Sequence, residues 1–309
     1  MSYEQSMLAQ LKMPSRKEVE KDLLVALFKH GGSIIEFGSE EKIVEEIAAN
    51  FNLTNNQKSA YLETIYRKEN RVKRSSLWHR LLFRAADTLA KEALITRPSH
   101  TFKLTNKKEW MLTEAGFDQV LRMLKIPAIK KASLSTKSYE VEKLVKSLKN
   151  ASRPEKYNPF EIEKKTIKTN KEISVRLRGF RKAVIEAYNY RCAICGLKIC
   201  APSSNNWEVE AAHIVPYSQR GKNDIWNGLS LCHLHHWAFD AGWFSLSDDY
   251  SIIISPKFDS IPEGYGLMGD YNFISDVIKE RKEIHLPNNK ELYPHHVSIK
   301  WHRQHLFCF

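Results

Sequence analysis

Through the first 124 residues, apolar positions recur at helical spacing in three successive blocks. "SRKEVEKDLLVALFKHGG" opens on a capping Ser15, carries apolar residues at helical spacing and stops at Gly31-Gly32, which predicts a first helix. "SEEKIVEEIAANFN" predicts a second, capped by Ser39 and ending near Asn50. "RSSLWHRLLFRAADTLAKEALI" predicts a third, with Leu77, Leu81, Ala85, Leu89 and Leu94 near one face. "LITRPSHTFKLT" and "NKKEWMLTEAG" then read as a short β-hairpin closing on a capped helix from Thr113 to Leu124. Three helices followed by a two-stranded wing is the order of a winged helix-turn-helix, in which the third helix enters the major groove of DNA. On that reading the polar side of helix three carries Arg71, Lys73, Arg74, His79, Arg80 and Arg84, and Lys103, Lys107 and Lys108 lie on or beside the wing. The same basic face would also arise on a merely solvated helix or on a winged helix that binds protein.

The pattern changes after residue 124. Residues 125–170 read as a Lys- and Ser-rich connector in which "EVEKLVKSLKNAS" predicts a helix, and Pro154 and Pro159 interrupt regular structure beyond it. From residue 171 to 309 a second domain begins with the helical "RGFRKAVIEAY". "WEVEAAHIVPYS" alternates as a strand and breaks at Pro216; "QRGKND" is a loop; "CHLHHWAFDAG" reads as a helix stopped by Gly242. The expected class is α+β, with domains 1–124 and 171–309 joined by the basic segment 125–170.

Charge sharpens this picture. The chain has a formal net charge of +12, which favours a polyanionic partner, nucleic acid first and a membrane surface second. Residues 125–182 hold 17 Lys/Arg against six Asp/Glu, so the basic excess is concentrated there, although a solvated linker has the same composition. No run of about 18 apolar residues is present, which argues against a membrane span. The N-terminus lacks the apolar core of a signal peptide, and a cytoplasmic location is expected.

Four of the five cysteines and four of the twelve histidines fall within residues 191–240. Cys192 and Cys195 form a C-x-x-C pair, and Cys232 and His235 a C-x-x-H pair. Two turns that each offer two soft ligands suit a closed, tetrahedral structural Zn²⁺ site, with Cys200 left as a spare. That leaves His213, His236 and Asp240. On the predicted helix His236 and Asp240 stand four apart on one face. A strand-borne His213 opposite that pair makes a small metal-centred cleft.

These residues resemble the HNH, or ββα-metal, nuclease family. The resemblance is carried by the C-x-x-C pair, "AHIVP", the Asn of "NGL", and "C-x-x-H-H-x-x-x-D", with the flanks "RLRGFRKAVIEAYNYRC" and "AFDAGWFSLSDDYSIIIS" and the closing "WHRQHLF". It implies that His213 is the general base, that Asn227 orders the loop and holds His213 in place, and that His236 and Asp240 ligate a catalytic Mg²⁺ or Mn²⁺. The product would carry a 5′ phosphate. Where many members have Asp or His directly before the base histidine, this chain has Ala212. Glu210, one strand step back on the same face, is a candidate third ligand, and an ordinary surface carboxylate is the equal alternative. Arg176, Arg178 and Arg181 are candidate phosphate contacts. The first 124 residues resemble the N-terminal winged-helix domain of Mrr-type restriction proteins, on "EVEKDLLVALFKHGG", "RLLFRAADTLAKEALI" and "WMLTEAG".

Together the two resemblances imply a restriction-type endonuclease that cuts double-stranded DNA, with the winged helix choosing the sequence and a homodimer cutting both strands. The Mrr-like part further implies dependence on a modified base, N6-methyladenine first and 5-methylcytosine second. Trp78, Phe83 or Trp110 would supply a pocket for the added methyl group, although aromatic residues in a small helical domain are usually core. The alternatives are an ordinary restriction endonuclease with a separate methylase and a zinc-stapled regulator that binds DNA without cutting. A homing or toxin nuclease fits less well, because no delivery module and no small DNA-binding repeats are visible.

Overall fold

The computed structural model describes residues 3–37, 41–66, 71–161, 170–202, 206–256 and 283–307. The chain divides into two compact units, Met1–Lys143 and Leu144–Phe309, so the boundary falls inside the basic segment.

The first unit runs α1 (Tyr3–Gln10), α2 (Arg16–Lys29), β1 (Ser33–Ile35), α3 (Glu41–Asn50), α4 (Asn55–Ser59), β2 (Tyr61–Tyr66), β3 (Arg71–Ser76), α5 (Leu77–Lys91), β4 (Ile95–Thr96), α6 (Pro98–Thr105), β5 (Glu109–Leu112) and α7 (Glu114–Met123). α2 starts where expected, because Ser15 and Glu18 form a reciprocal capping box. Gly32 then takes a positive φ of 98°, and a Cβ there would lie 2.1 Å from the Lys137 carbonyl, so only glycine fits the close approach. The predicted cap Ser39 lies outside the described residues. β5 is the centre of a small antiparallel sheet of order β1-β5-β4. Val19, Leu23 and Leu27 of α2, Ile47 of α3, and Leu81, Leu82 and Leu89 of α5 bury together as one core.

Three expectations are corrected here. Arg71, Lys73 and Arg74 belong to β3, not to the third helix: β2 and β3 pair antiparallel from Tyr61↔Ser76 to Tyr66↔Arg71, and the helix starts only after the Ser76 cap. The segment "YLETIY" is rich in aromatic and β-branched residues, and cross-strand pairing favours that composition. Arg74 pairs with Glu63 across the hairpin at 2.8 Å and lies over the Tyr61 ring. The expected wing is β4 and β5 with a helix between them, because Pro98 sits at the first helical position, where its missing N–H costs nothing; Lys103 is therefore helical. Trp78 is only 2% exposed, and its indole N–H donates to the Val44 carbonyl, so it is core and not a base-reading surface. Trp110 is likewise buried, while Phe83 is partly exposed and packs edge-on against Phe37.

Arg80 and Arg84 do share the polar side of α5, but both guanidinium groups reach one carboxylate oxygen of Glu4 on α1, at 2.8 and 2.7 Å. Residues after α7 fold back on it. The fully buried Glu114 accepts from Lys131 at 2.7 Å and from the Ser138 hydroxyl. An isolated buried carboxylate would be costly, and these two donors offset that cost.

The second unit contains the end of α8 (Tyr139–Lys149), then α9 (Asn170–Ala187), β6 (Val209–His213), β7 (Gly228–Cys232), α10 (His233–Asp240), β8 (Phe244–Leu246), β9 (Ile252–Ile254) and α11 (His296–His305). β6 and β7 pair antiparallel in the register Val209↔Cys232 to His213↔Gly228, and α10 follows β7 without a loop. α9 lies against this hairpin. A Cβ on Gly228 would meet Val184 at 2.5 Å and Phe180 at 2.9 Å, so glycine permits the close packing. Behind α10, His302 of α11 is fully buried, stacked on Phe239 and bonded to Ser245 and to the Phe239 carbonyl. No described helix is long and apolar enough to cross a membrane.

Candidate active site and metal centre

Two turns converge at the base of the β6–β7–α10 unit. The turn after α9 brings Cys192 and Cys195, and the β7–α10 junction brings Cys232 and His235; their ligand atoms all lie within 4.8 Å of one another. Cys195 and Cys232 Sγ are 3.9 Å apart, and Cys192 Sγ is 3.7 Å from His235 Nδ1. Tetrahedral Zn²⁺ with Zn–S bonds of about 2.3 Å and Zn–N bonds of about 2.0 Å sets ligand edges near 3.5–3.8 Å. Those two separations lie close to this range, the Cys232–His235 edge is tighter at 3.0 Å, and three thiols with one imidazole are a donor set that suits the ion. The thiols share protons: hydrogen bonds from Cys195 and then Cys232 pull the Cys192 thiol below its ordinary pKa, while the bond to Cys192 pushes the Cys232 thiol above its own. Cys200 stands outside the cluster.

Beside this corner, the same strands and helix carry different chemistry. His213 ends β6, and its ring stacks on Phe180 at 4.1 Å. Its Nε2 lies 2.9 Å from the side-chain oxygen of Asn223. Burial lowers its pKa, and the nearby His236 lowers it further against the opposing Asn223 bond, so the neutral imidazole is favoured. His236 is held from both sides: Nδ1 is 3.1 Å from Glu210 and Nε2 is 3.5 Å from Asp240. Glu210 also meets Arg181 at 3.4 Å and His233 at 3.7 Å. Burial raises the Asp240 pKa.

Asn227 is fully buried. Its side chain accepts from the Val215 N–H at 2.9 Å and donates to the Val215 and Lys222 carbonyls at 3.0 and 3.1 Å. It thus closes the loop from Val215 to Lys222 at both ends, and does not touch the His213 ring through any of these bonds. Of the three candidate phosphate-binding arginines, Arg176 pairs with Glu161 at 3.3 Å and Arg181 with Glu210, while Arg178 is only 4% exposed and is unsuited to a phosphate contact. Sequence reasoning missed Asn223, which sits in the unremarkable loop "QRGKND", and missed Phe180, whose helical apolar position signals only packing.

Strand, strand and helix beside a Cys₃His corner are consistent with a zinc-bound ββα-metal fold. Residues 192–247 match the model of the family described as HNH endonuclease, and the chain is a nuclease by that match. No curated protein matches the chain. Among solved structures, one described as "Modification dependent TagI restriction endonuclease" aligns at 21% identity with a TM-score of 0.29, over 41% of this chain and 37% of that one.

Proposed function

We propose that this chain is a restriction-type endonuclease that hydrolyses phosphodiesters in double-stranded DNA, with His213 as the general base. The observation that carries this reading is the His213 ring, stacked on Phe180 and 2.9 Å from Asn223, in the same strand-helix unit as the Glu210–His236 pair. His213 takes a proton from water as that water attacks phosphorus, and Phe180 and Asn223 keep the ring from turning. Glu210 and His236 would hold the divalent cation: octahedral Mg²⁺ or Mn²⁺ with ligands at about 2.1 Å sets adjacent donors near 3.0 Å apart, close to their 3.1 Å separation. Such a cation supplies charge stabilisation at the phosphate and the leaving 3′ oxygen. Asp240 approaches the other ring nitrogen, so its role is to orient His236, as carboxylates behind metal-bound histidines do.

The first unit is read as a winged-helix-type DNA reader. Support comes from the helix–sheet order and from the basic residues of α5 and of the β2–β3 hairpin that precedes it. Since each chain carries one such site, two copies related by a dyad would cut both strands. A modified base would direct the cutting, with Phe83 the partly exposed member of the three aromatic candidates. The test incubates the full chain with Mg²⁺ or Mn²⁺ and plasmids from adenine-methylating and methylation-deficient hosts, then sequences the ends. Metal-dependent cutting that His213→Ala abolishes supports the nuclease site. Equal digestion of both plasmids replaces the modified-base reading with an ordinary restriction enzyme.

A further inference from the structure

The segment from Arg153 to Glu161 belongs to the basic stretch between the two predicted domains, yet it is bound along the second unit. At its start Arg153 donates to the Pro294 carbonyl at 2.9 Å and to the Tyr250 hydroxyl at 3.1 Å, and the Pro154 carbonyl lies 3.2 Å from His295 Nε2. At its end Phe160 forms an antiparallel bridge with Gly221, flanked by Lys222 N–H to the Pro159 carbonyl and Glu161 N–H to the Arg220 carbonyl, both 2.8 Å. Lys222 also donates its ammonium to the Asn158 carbonyl at 2.6 Å.

The loop gripped in this way is the one that presents Asn223 to His213. Lys222 on one side of Asn223 is tied to Pro159 and Asn158. Asp224 on the other side accepts from the Tyr157 hydroxyl at 2.5 Å. The Tyr157 ring is itself wedged between His295, 4.7 Å away, and Trp226, 6.0 Å away. We propose that Tyr157 is a positioning residue for catalysis: by latching Asp224 it fixes Asn223, and Asn223 fixes the tautomer and orientation of His213. An amide oxygen only accepts, so the proton of the neutral ring resides on Nε2, and Nδ1 carries the lone pair that takes the proton from water. Without the latch, the partly buried Asp224 carboxylate keeps only the backbone N–H groups of Asn227 and Trp226 as donors, so the loop is held less tightly and the neighbouring amide moves with it.

This inference rests on His213 being the base, and its test separates the two. Full-length Tyr157→Phe keeps the ring and loses only the hydroxyl. Its kcat for duplex cleavage should fall roughly three- to tenfold, the range of one hydrogen bond, with KM and zinc content unchanged. Asn223→Ala should lose about a hundredfold, because the ring is then free to rotate and to swap tautomer, whereas Asn223→Asp, which keeps an acceptor oxygen, should retain more activity than Asn223→Ala. In the Asn223→Ala background, Tyr157→Phe should have no further effect, since both act through one bond. With ¹⁵N-histidine labelling, the His213 signals should report the Nε2–H tautomer in the wild type and a mixture in Asn223→Ala. Additive losses in the double variant, a raised KM with unchanged kcat, or an Nδ1–H tautomer in the wild type would each overturn the proposal. Should His213→Ala cut normally, the underlying assignment of the base fails instead, and the ¹⁵N spectra still judge the contact.

Discussion

His235 and His236 are consecutive in the chain and end in different chemistry. His235 is fully buried, with Nδ1 3.0 Å from Cys232 and 3.7 Å from Cys192. His236 is part-exposed in the cleft, between Glu210 and Asp240. An α-helix advances about 100° per residue, so neighbours on α10 point in different directions and reach different partners. One eight-residue helix thereby serves the zinc corner and the cleft at once. The corner is buried at Cys192, Cys232 and His235, whereas the cleft is open on the side of Asp240, whose side chain is more than half exposed. The corner should therefore be required for folding, while the cleft should tolerate substitution and lose only chemistry.

The largest effect expected from this contrast is at the corner. Cys192→Ala should abolish binding of one equivalent of zinc and unfold the second unit, because structural zinc binding contributes on the order of 10 kcal/mol to folding. Metal analysis and thermal melts check it; a fully folded, zinc-free variant would erase the distinction. At the cleft, His213→Ala should leave zinc content and melting nearly intact while single-turnover cleavage falls by roughly 10²–10⁴, the usual contribution of a general base. A variant that melts early instead would mean that His213 serves packing against Phe180. Within the cleft, Glu210→Gln should weaken activation by Mn²⁺ more than Asp240→Asn does, the latter by about 10–100-fold, since Asp240 acts through the ring of His236. Metal titrations of activity decide the order, and a larger effect for Asp240 would make it the direct ligand. The smallest effect is in pH. Burial lowers the His213 pKa, so the ring stays neutral as pH falls below the ordinary histidine value of about 6.5, and the acid limb of cleavage should lie under that pH. A limb above it would show that the group titrating is not this one.

The corner was legible in the sequence because each ligand pair is local. Cys192 and Cys195 are three residues apart, as are Cys232 and His235, and soft ligands seldom fall into two such pairs by chance. The strand before His213 and the helix from His233 were legible from alternation and from the Gly242 stop. Helix α5 was legible over its apolar stripe but not at its start. Arg71–Ser76 continues a basic pattern that helix and strand share on a solvated surface, and pairing with Tyr61–Tyr66 chose the strand. Trp78 illustrates the same limit, since an aromatic residue beside basic ones can face solvent or core, and only packing against Val44 and Phe51 puts it inside.

What the sequence determined by itself is therefore the set of elements that carry their own periodicity and the ligands that carry their own spacing. The side-chain partnerships of the cleft came only with tertiary structure. Glu210 meets His236 because β6 runs beside α10, Asn223 meets His213 because Asn227 and the Arg153–Glu161 segment shape the loop between them, and Glu4 takes Arg80 and Arg84 because α1 packs on α5. Each joins residues well separated along the chain or set by loop geometry, and such contacts leave no period in the sequence. Local propensity and spacing act over a turn or two of backbone, whereas a pairing across elements exists only after burial of the core has brought those elements together.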